Sequence, residues 1–427
     1  MRTGDPSRTP ATRPADRPLP PTAVYERAAA VIACVIVAAR FPIQQALTVG
    51  IVMALALSPV WTGALRRYRG AAAVVVLGVL ALASGVLLTG AKQTTNSIGS
   101  STLQINSLVL LSLVAGIGTL LWARTVLGTR GVATWFGVGL LIGTVFSNQG
   151  DNAWKYAYSV PVIVLVLALC MRTGRRTVEL LALIGLAVVS AANDSRSATS
   201  VLAMAAAMTL WQPVRSRLGG HSTPARTLVT FAMVGLISFA ALQTFILNGV
   251  FGESAMERTA AQIQVSGSVV TGGRPEIGAT LALFLHSPLG YGSGTLPSVR
   301  DVLVAKGGMQ DLNYQPDNRY VEGYLFGNGF ELHSVIGDLW ARFGLVGLAL
   351  ALTLLTLIIL GAASRVADGT ASALLAYLTI QAVWDLFFSP FFVTSIATLS
   401  LATTLALSTR DSAPDSVPDS PPRLPPR

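Results

Sequence analysis

Charge, cysteine and histidine are all scarce in this chain. Only 12% of its 427 residues are Asp, Glu, Lys or Arg, where a soluble domain carries about 25%, so an ordinary water-soluble globule is excluded. The two cysteines, Cys34 and Cys170, both lie in apolar stretches and suit neither a disulfide framework nor a metal site. Three histidines without a cysteine cluster argue against zinc. Lysine is nearly missing: three of the 30 basic residues, the rest being arginine. With abundant Ala, Gly and Val, that skew points to a GC-rich genome rather than to a function. No cleavable signal peptide is visible. Residues 1–23 are rich in Pro and Arg and residues 409–427 in Pro, Ser and Asp, so both read as disordered cytoplasmic ends.

What is abundant is apolar sequence. Hydrophobic residues make up 52% of the chain and the mean hydropathy is +0.60. A helix crosses the hydrocarbon core with about 20 residues, and runs of that kind recur throughout. Spans are expected at roughly 24–40, 43–61, 71–89, 104–122, 131–148, 157–172, 178–193, 198–212, 227–248, 335–362, 370–387 and 391–408. The fold class is then an all-α polytopic membrane helix bundle of about twelve transmembrane helices, forming one integral domain over 24–408. The first two spans join through a tight turn at Arg40, Phe41 and Pro42.

The net charge of +10 would suggest nucleic acid in a soluble protein. Here the arginines cluster in alternate short loops: Arg66, Arg67 and Arg69; Arg124 and Arg130; Arg172, Arg175 and Arg176; Arg215, Arg217 and Arg226; and Arg365. A positive-inside bias accounts for them, puts both termini in the cytoplasm, and makes the bilayer the partner rather than nucleic acid. One extracytoplasmic loop, 249–334, is long and more polar; loops of that length are functional or disordered. Its apolar patch from Ile277 to Leu289 reads as an amphipathic helix on the membrane surface, and the loop holds enough apolar residues to fold against the bundle.

Three residues on that expected outer face carry chemistry. Arg196, in Asn193-Asp194-Ser195-Arg196-Ser197, is either a partner of Asp194 or an anion ligand whose planar fork fits phosphate oxygens. Arg274 precedes Pro275, which suits the first turn of a helix; it either bridges to Glu276 or sits at a helix N-terminus where free amides also favour anions. After that helix, Pro288-Leu289-Gly290-Tyr291-Gly292-Ser293-Gly294 permits a tight turn or a close backbone approach. His333 stands where the loop re-enters the membrane, as an interface residue or as a general base. Of the remaining histidines, His286 reads as structural and His221 as cytoplasmic. Asp338, near the start of a span, is expected to pair with Arg342 four residues on.

Together these segments resemble the bacterial O-antigen ligase and O-antigen polymerase superfamily. Asp194-Ser195-Arg196-Ser197-Ala198 is similar to its arginine segment after a mid-chain span. Arg274 through Gly294 is similar to its Arg-initiated helix followed by Pro-Leu-Gly-x-Gly-x-Gly. His333 through Gly347 is similar to its His-Asn-x-x-Leu and Gly-Leu-x-Gly pattern. The chain departs from the pattern at Ser334, where Asn is usual, at Arg342, where Glu is common, and at Gly278, where an aromatic is common. The resemblance implies a metal-independent membrane glycosyltransferase that needs no cofactor. Its donor would be a glycan on a polyprenyl (undecaprenyl) pyrophosphate, and its acceptor a glycan or cell-envelope hydroxyl. Arg196 and Arg274 would bind the pyrophosphate, and His333 would orient or deprotonate the acceptor. The alternative is a polysaccharide or lipid exporter, which predicts charged or broken helices near mid-membrane.

Overall fold

The computed structural model describes residues 21–146, 150–217, 274–317 and 319–410, with scattered positions between 226 and 263. His221, most of the span expected at 227–248 and nearly all of both expected disordered ends lie outside the described residues. The structure is 78% helical and 3% strand, so the all-α expectation holds. Five helices among the described residues are long and apolar enough to cross a membrane: Thr22–Ala39, Ala71–Ala91, Ser100–Phe146, Trp154–Thr173 and Val335–Ala367.

α1 (Pro21–Ala39) ends at Arg40, whose φ of 52° turns the chain into a two-stranded hairpin, β1 (Pro42–Gln44) and β2 (Leu47–Thr48). The span expected at 43–61 is therefore not one helix. It is that hairpin followed by two eight-residue helices, α2 (Val49–Ala56) and α3 (Ser58–Leu65), with Pro59 at the start of the second. A proline fits there because first-turn amides have no intrahelical acceptor. α4 (Ala71–Ala91) is an unbroken apolar rod. The stretches expected as spans at 104–122 and 131–148 are two helical segments that meet at a kink at Gly128 (φ 69°, ψ 172°), together labelled α5 (Ser100–Gly143). Next come α6 (Ser159–Thr173), entered through a π-turn at Trp154–Tyr158, then α7 (Arg176–Ala192) and α8 (Arg196–Arg217). The described part of the polar loop folds into α9 (Glu276–His286), α10 (Val299–Gln310) and a π-turn at Tyr320–Leu325. α11 (Val335–Ala367), α12 (Ala373–Phe388) and α13 (Val393–Ala406) close the chain.

α11 fixes the polarity of the bundle, since His333 precedes it and Arg365 sits in its last turn. The arginines of the short loops collect at the Arg365 end. The Arg124 guanidinium donates to the carbonyls of Thr404 (2.6 Å) and Leu407 (2.8 Å) and covers the Tyr68 ring. Arg176 donates to the carbonyls of Gly369 and Ala371. Backbone hydrogen bonds join 67–69 to 408–410. The Arg124 contacts satisfy carbonyls at the end of α13 that a helix's last turn leaves without partners.

The opposite end carries its own small core, separate from that of the bundle and rich in aromatics: Tyr291, Phe326, Phe330, Leu332 and Trp340. Tyr291 stacks on Phe330 (centroids 4.1 Å apart) and meets Trp340 edge-on. The glycine-rich segment threads this core between α4 and α11. The amides of Tyr291 and Gly292 both donate to the Ala341 carbonyl, Ser293 donates to Gly85, and Gly294 donates to the Thr89 hydroxyl. At Gly292 φ is 112°, and a Cβ there would lie 2.4 Å from the Thr89 nitrogen. The close approach expected of this segment is thus present.

α9 and α10 cross at two glycines. A Cβ on Gly278 would lie 2.0 Å from the Gly308 carbonyl oxygen, so only glycine fits at this crossing. The crossing leaves no side-chain room, so Gly278→Val should destabilise by about 1–3 kcal/mol through overpacking. Thermal unfolding of the detergent-solubilised protein checks this, and an unchanged midpoint would refute the crossing.

Candidate functional site

Arg274 and His333 line the same groove, a cavity of about 420 Å³ walled mainly by Ile277, Leu281, Phe284, Trp340, Phe387 and Phe388. Both stand at its polar edge with Glu276, Thr280 and Ser334. α9 supplies one wall, and its outer face is apolar: Ile277, Leu281 and Leu285 recur every four residues and are exposed, Leu281 by 59% and Leu285 by 71%. Leu289, Val299 and Leu303 extend the exposed stripe toward and along α10. An unpaired apolar face on a short helix beside a groove is the pattern of an element lying against lipid.

The chain runs through Arg274 into α9, and the guanidinium lies over the Trp384 ring of α12, 5.7 Å from its centroid. The alternative bridge to Glu276 is absent: Arg274 has no carboxylate partner among the described residues. Glu276 instead accepts a hydrogen bond from the Tyr320 hydroxyl. Burial, reinforced by that bond, pushes the ionisation of Tyr320 well above the ordinary phenol range, so the hydroxyl keeps its proton and remains the donor. The second oxygen of Glu276, Oε2, is buried without a hydrogen-bond partner.

His333 adopts φ 51°, a left-handed conformation uncommon outside glycine, which His, Asn and Asp adopt more readily than other side chains. Its neighbours hold it there. Asp338, fully buried, accepts from the amide of Leu332 with Oδ1 (2.7 Å) and from that of Phe391 with Oδ2 (2.8 Å). Ser334 accepts from the Gly337 amide and donates to the Leu386 carbonyl (2.9 Å), capping α11 and tying it to α12. Ser334 thus serves as the helix cap. Expected pairing of Asp338 with Arg342 is present at 3.7 Å, but each has closer partners. Arg342 grips the Phe330 carbonyl with Nε (3.0 Å) and Nη2 (2.9 Å). Around the imidazole, Tyr324 lies 5.1 Å and Tyr320 6.2 Å away between ring centroids. Nδ1 of His333 is buried and has no hydrogen-bond partner among the described residues.

Arg196 is elsewhere. It opens α8, donates from Nη1 to the Thr259 hydroxyl (3.1 Å), and is not part of the groove lining. The two arginines are related through α12, against which α8 packs and whose Trp384 lies under Arg274. Exposed His286 closes α9 on the outer surface and does not enter the groove.

Sequence reading missed Trp384, Tyr320 and Tyr324. Tyr320 and Tyr324 sit in a segment without periodicity, and only their spacing of one π-turn hints that they stack. Asp385, buried in α12, was missed as well. Its oxygens accept from the Thr398 hydroxyl (2.6 Å) and the Gln381 amide (2.9 Å), so this acid within a helix is satisfied as a link between α12 and α13. Among the described residues no three His, Cys, Asp or Glu side chains are grouped to hold a metal ion. Comparison with family models, with curated proteins and with solved structures found no match, so the functional reading rests on the chemistry of the groove itself.

Proposed function

We propose that this protein transfers a glycan from a polyprenyl-pyrophosphate carrier to an acceptor hydroxyl, as O-antigen ligases and polymerases do. The reading includes a bundle of about twelve spans with cytoplasmic termini and the groove on the extracytoplasmic side. One observation carries it: Arg274, which has no carboxylate partner among the described residues, and the His333 side chain line one apolar groove beside an exposed apolar helix face. The apolar wall suits an isoprenoid chain, the guanidinium a pyrophosphate, and the imidazole a hydroxyl proton.

In the reaction the acceptor oxygen attacks the anomeric carbon and the bond from that carbon to the pyrophosphate oxygen breaks. The electron pair leaves with the carrier pyrophosphate. His333 takes the hydroxyl proton. Arg274 stabilises the charge gathering on the leaving group, and the indole of Trp384 holds its guanidinium in place by a cation–π contact. Arg196 does not line the groove and has no part in this step. Tyr320 and Tyr324 offer ring faces beside His333 for a sugar.

The test is direct. Purified protein incubated with a polyprenyl-pyrophosphate glycan and a hydroxyl acceptor should release carrier pyrophosphate and yield glycosylated acceptor without a metal ion or a nucleotide. Arg274→Lys keeps the charge but loses the two-pronged fork, and turnover should fall at least about tenfold, in line with a weakened charge-assisted hydrogen bond. Wild-type turnover in that variant, at normal folded yield, would remove Arg274 from the donor site.

A further inference from the structure

A second cavity lies at the opposite end of the bundle, about 280 Å³ in volume, between the break in α5, the start of α7 and the turn joining α11 to α12. Three guanidiniums line it, those of Arg130, Arg176 and Arg365, against a single carboxylate, Glu179. Glu179 is itself buried, and its Oε2 accepts from the Ala373 amide (2.8 Å), capping the start of α12. Arg176 donates only to the carbonyls of Gly369 and Ala371, which hold it without cancelling its charge. Neither Arg130 nor Arg365 makes an ion pair among the described residues.

The cavity therefore gathers like charges around a partly open space, with Arg130 at its exposed rim and Arg176 and Arg365 further in. Three hydroxyls also border it. Thr370 donates to the Arg365 carbonyl, whereas Ser372 accepts from the Leu375 amide and Thr129 from Nε of Arg124, so these two each have an O–H proton still to give. Guanidinium forks and hydroxyl donors around a space of this size match the several oxygens of a phosphate group. A carboxylate would use fewer of the donors.

We propose that this cavity is a binding site for a phosphate group, either the headgroup of an anionic phospholipid or free phosphate, distinct from the groove holding Arg274 and His333. It sits where the basic loops collect, so a phosphodiester with its acyl chains along α11 and α12 would neutralise the cluster and tie three helices together. The site is independent of glycan transfer and stands or falls separately from it.

The experiment uses the full-length chain, delipidated in a neutral detergent, and follows thermal unfolding with dioctanoyl phosphatidylglycerol or inorganic phosphate added. Stabilisation of a few degrees is expected. A shift with phosphatidylglycerol alone assigns the site to a lipid headgroup; a shift with inorganic phosphate, alone or as well, assigns it to the free anion. In the Arg130→Gln/Arg365→Gln double variant the apparent affinity should drop about tenfold or more, the loss expected when charge-assisted hydrogen bonds are removed. Arg365→Lys should give an intermediate loss, because it keeps charge without the fork. Should the double variant fail to fold, exposed Arg130 alone, changed to Gln, carries the test. No shift with either additive, or a shift equally large in the variants, would overturn the proposal.

Discussion

His333→Ala should lose about 10²–10⁴-fold in transfer rate, the usual contribution of a general base, while still binding the lipid pyrophosphate. The geometry makes the result interpretable. Nδ1 has no protein partner among the described residues, so removing the ring breaks no hydrogen bond at that atom, and the loss of stability should be limited to its packing on Tyr324. The backbone is the complication, because φ is 51° and alanine resists that conformation. His333→Asn is the companion variant, since asparagine visits left-handed backbone readily and keeps the loop in place without supplying a base. Transfer rate, donor affinity and unfolding midpoint measured on both variants separate the roles. A base loses turnover alone, a phosphate ligand loses affinity, and a packing residue loses stability. Unchanged turnover per folded molecule in both would leave the proposed chemistry without its proton acceptor.

Asp338→Ala should cost about 3–5 kcal/mol of stability, the range for breaking a buried charge pair by removing one partner. Asp338 is fully buried and its loss would strand the amides of Leu332 and Phe391 together with the guanidinium of Arg342. The double variant Asp338→Ala/Arg342→Met separates the terms. If the stranded charge dominates, the second change should recover part of the loss; if the two amides dominate, it should not. Denaturant or thermal unfolding in detergent reads both. A loss under about 1 kcal/mol, the value of a single ordinary hydrogen bond, would mean that the carboxylate does not hold the His333 turn.

The helices were legible because lipid allows little else: a backbone in hydrocarbon must satisfy its own hydrogen bonds, so apolar length translates into helix. The runs at 71–89 and 335–362 emerge as α4 and α11 for that reason. The hairpin at Pro42–Thr48 was hidden because β1 and β2 are too short to carry a period. The break at Gly128 falls in the loop expected between 104–122 and 131–148, but the one at Gly344 (φ 68°) inside α11 was hidden, because a helical glycine and a left-handed one look alike in sequence. At the groove, Arg274 and His333 were recognisable as isolated ionisable residues between apolar runs. Their surroundings were not. The nearest carboxylate to Arg274 in sequence is Glu276, yet its structural partner is Trp384, more than a hundred residues on. Asp338 reads as half of an i,i+4 pair, which it is, but its shortest hydrogen bonds reach Leu332 and Phe391. Local spacing predicts local partners, and this site is assembled from distant ones.

The strip from Tyr291 to Gly294 carries a consequence for how the molecule is made. Its backbone bonds reach back to Gly85 and Thr89 in α4 and forward to Ala341 in α11. During synthesis α4 emerges early, but the Ala341 carbonyl appears only after the whole polar loop has been made. Contacts between segments so far apart in sequence form slowly. The loop must therefore wait, partly unfolded, until α11 is inserted, and only then can the strip bridge the two helices and seat α9 beside His333. A nascent chain halted before α11 would hold Arg274 with no groove around it, so the groove is completed in one late step rather than built up as the helices arrive.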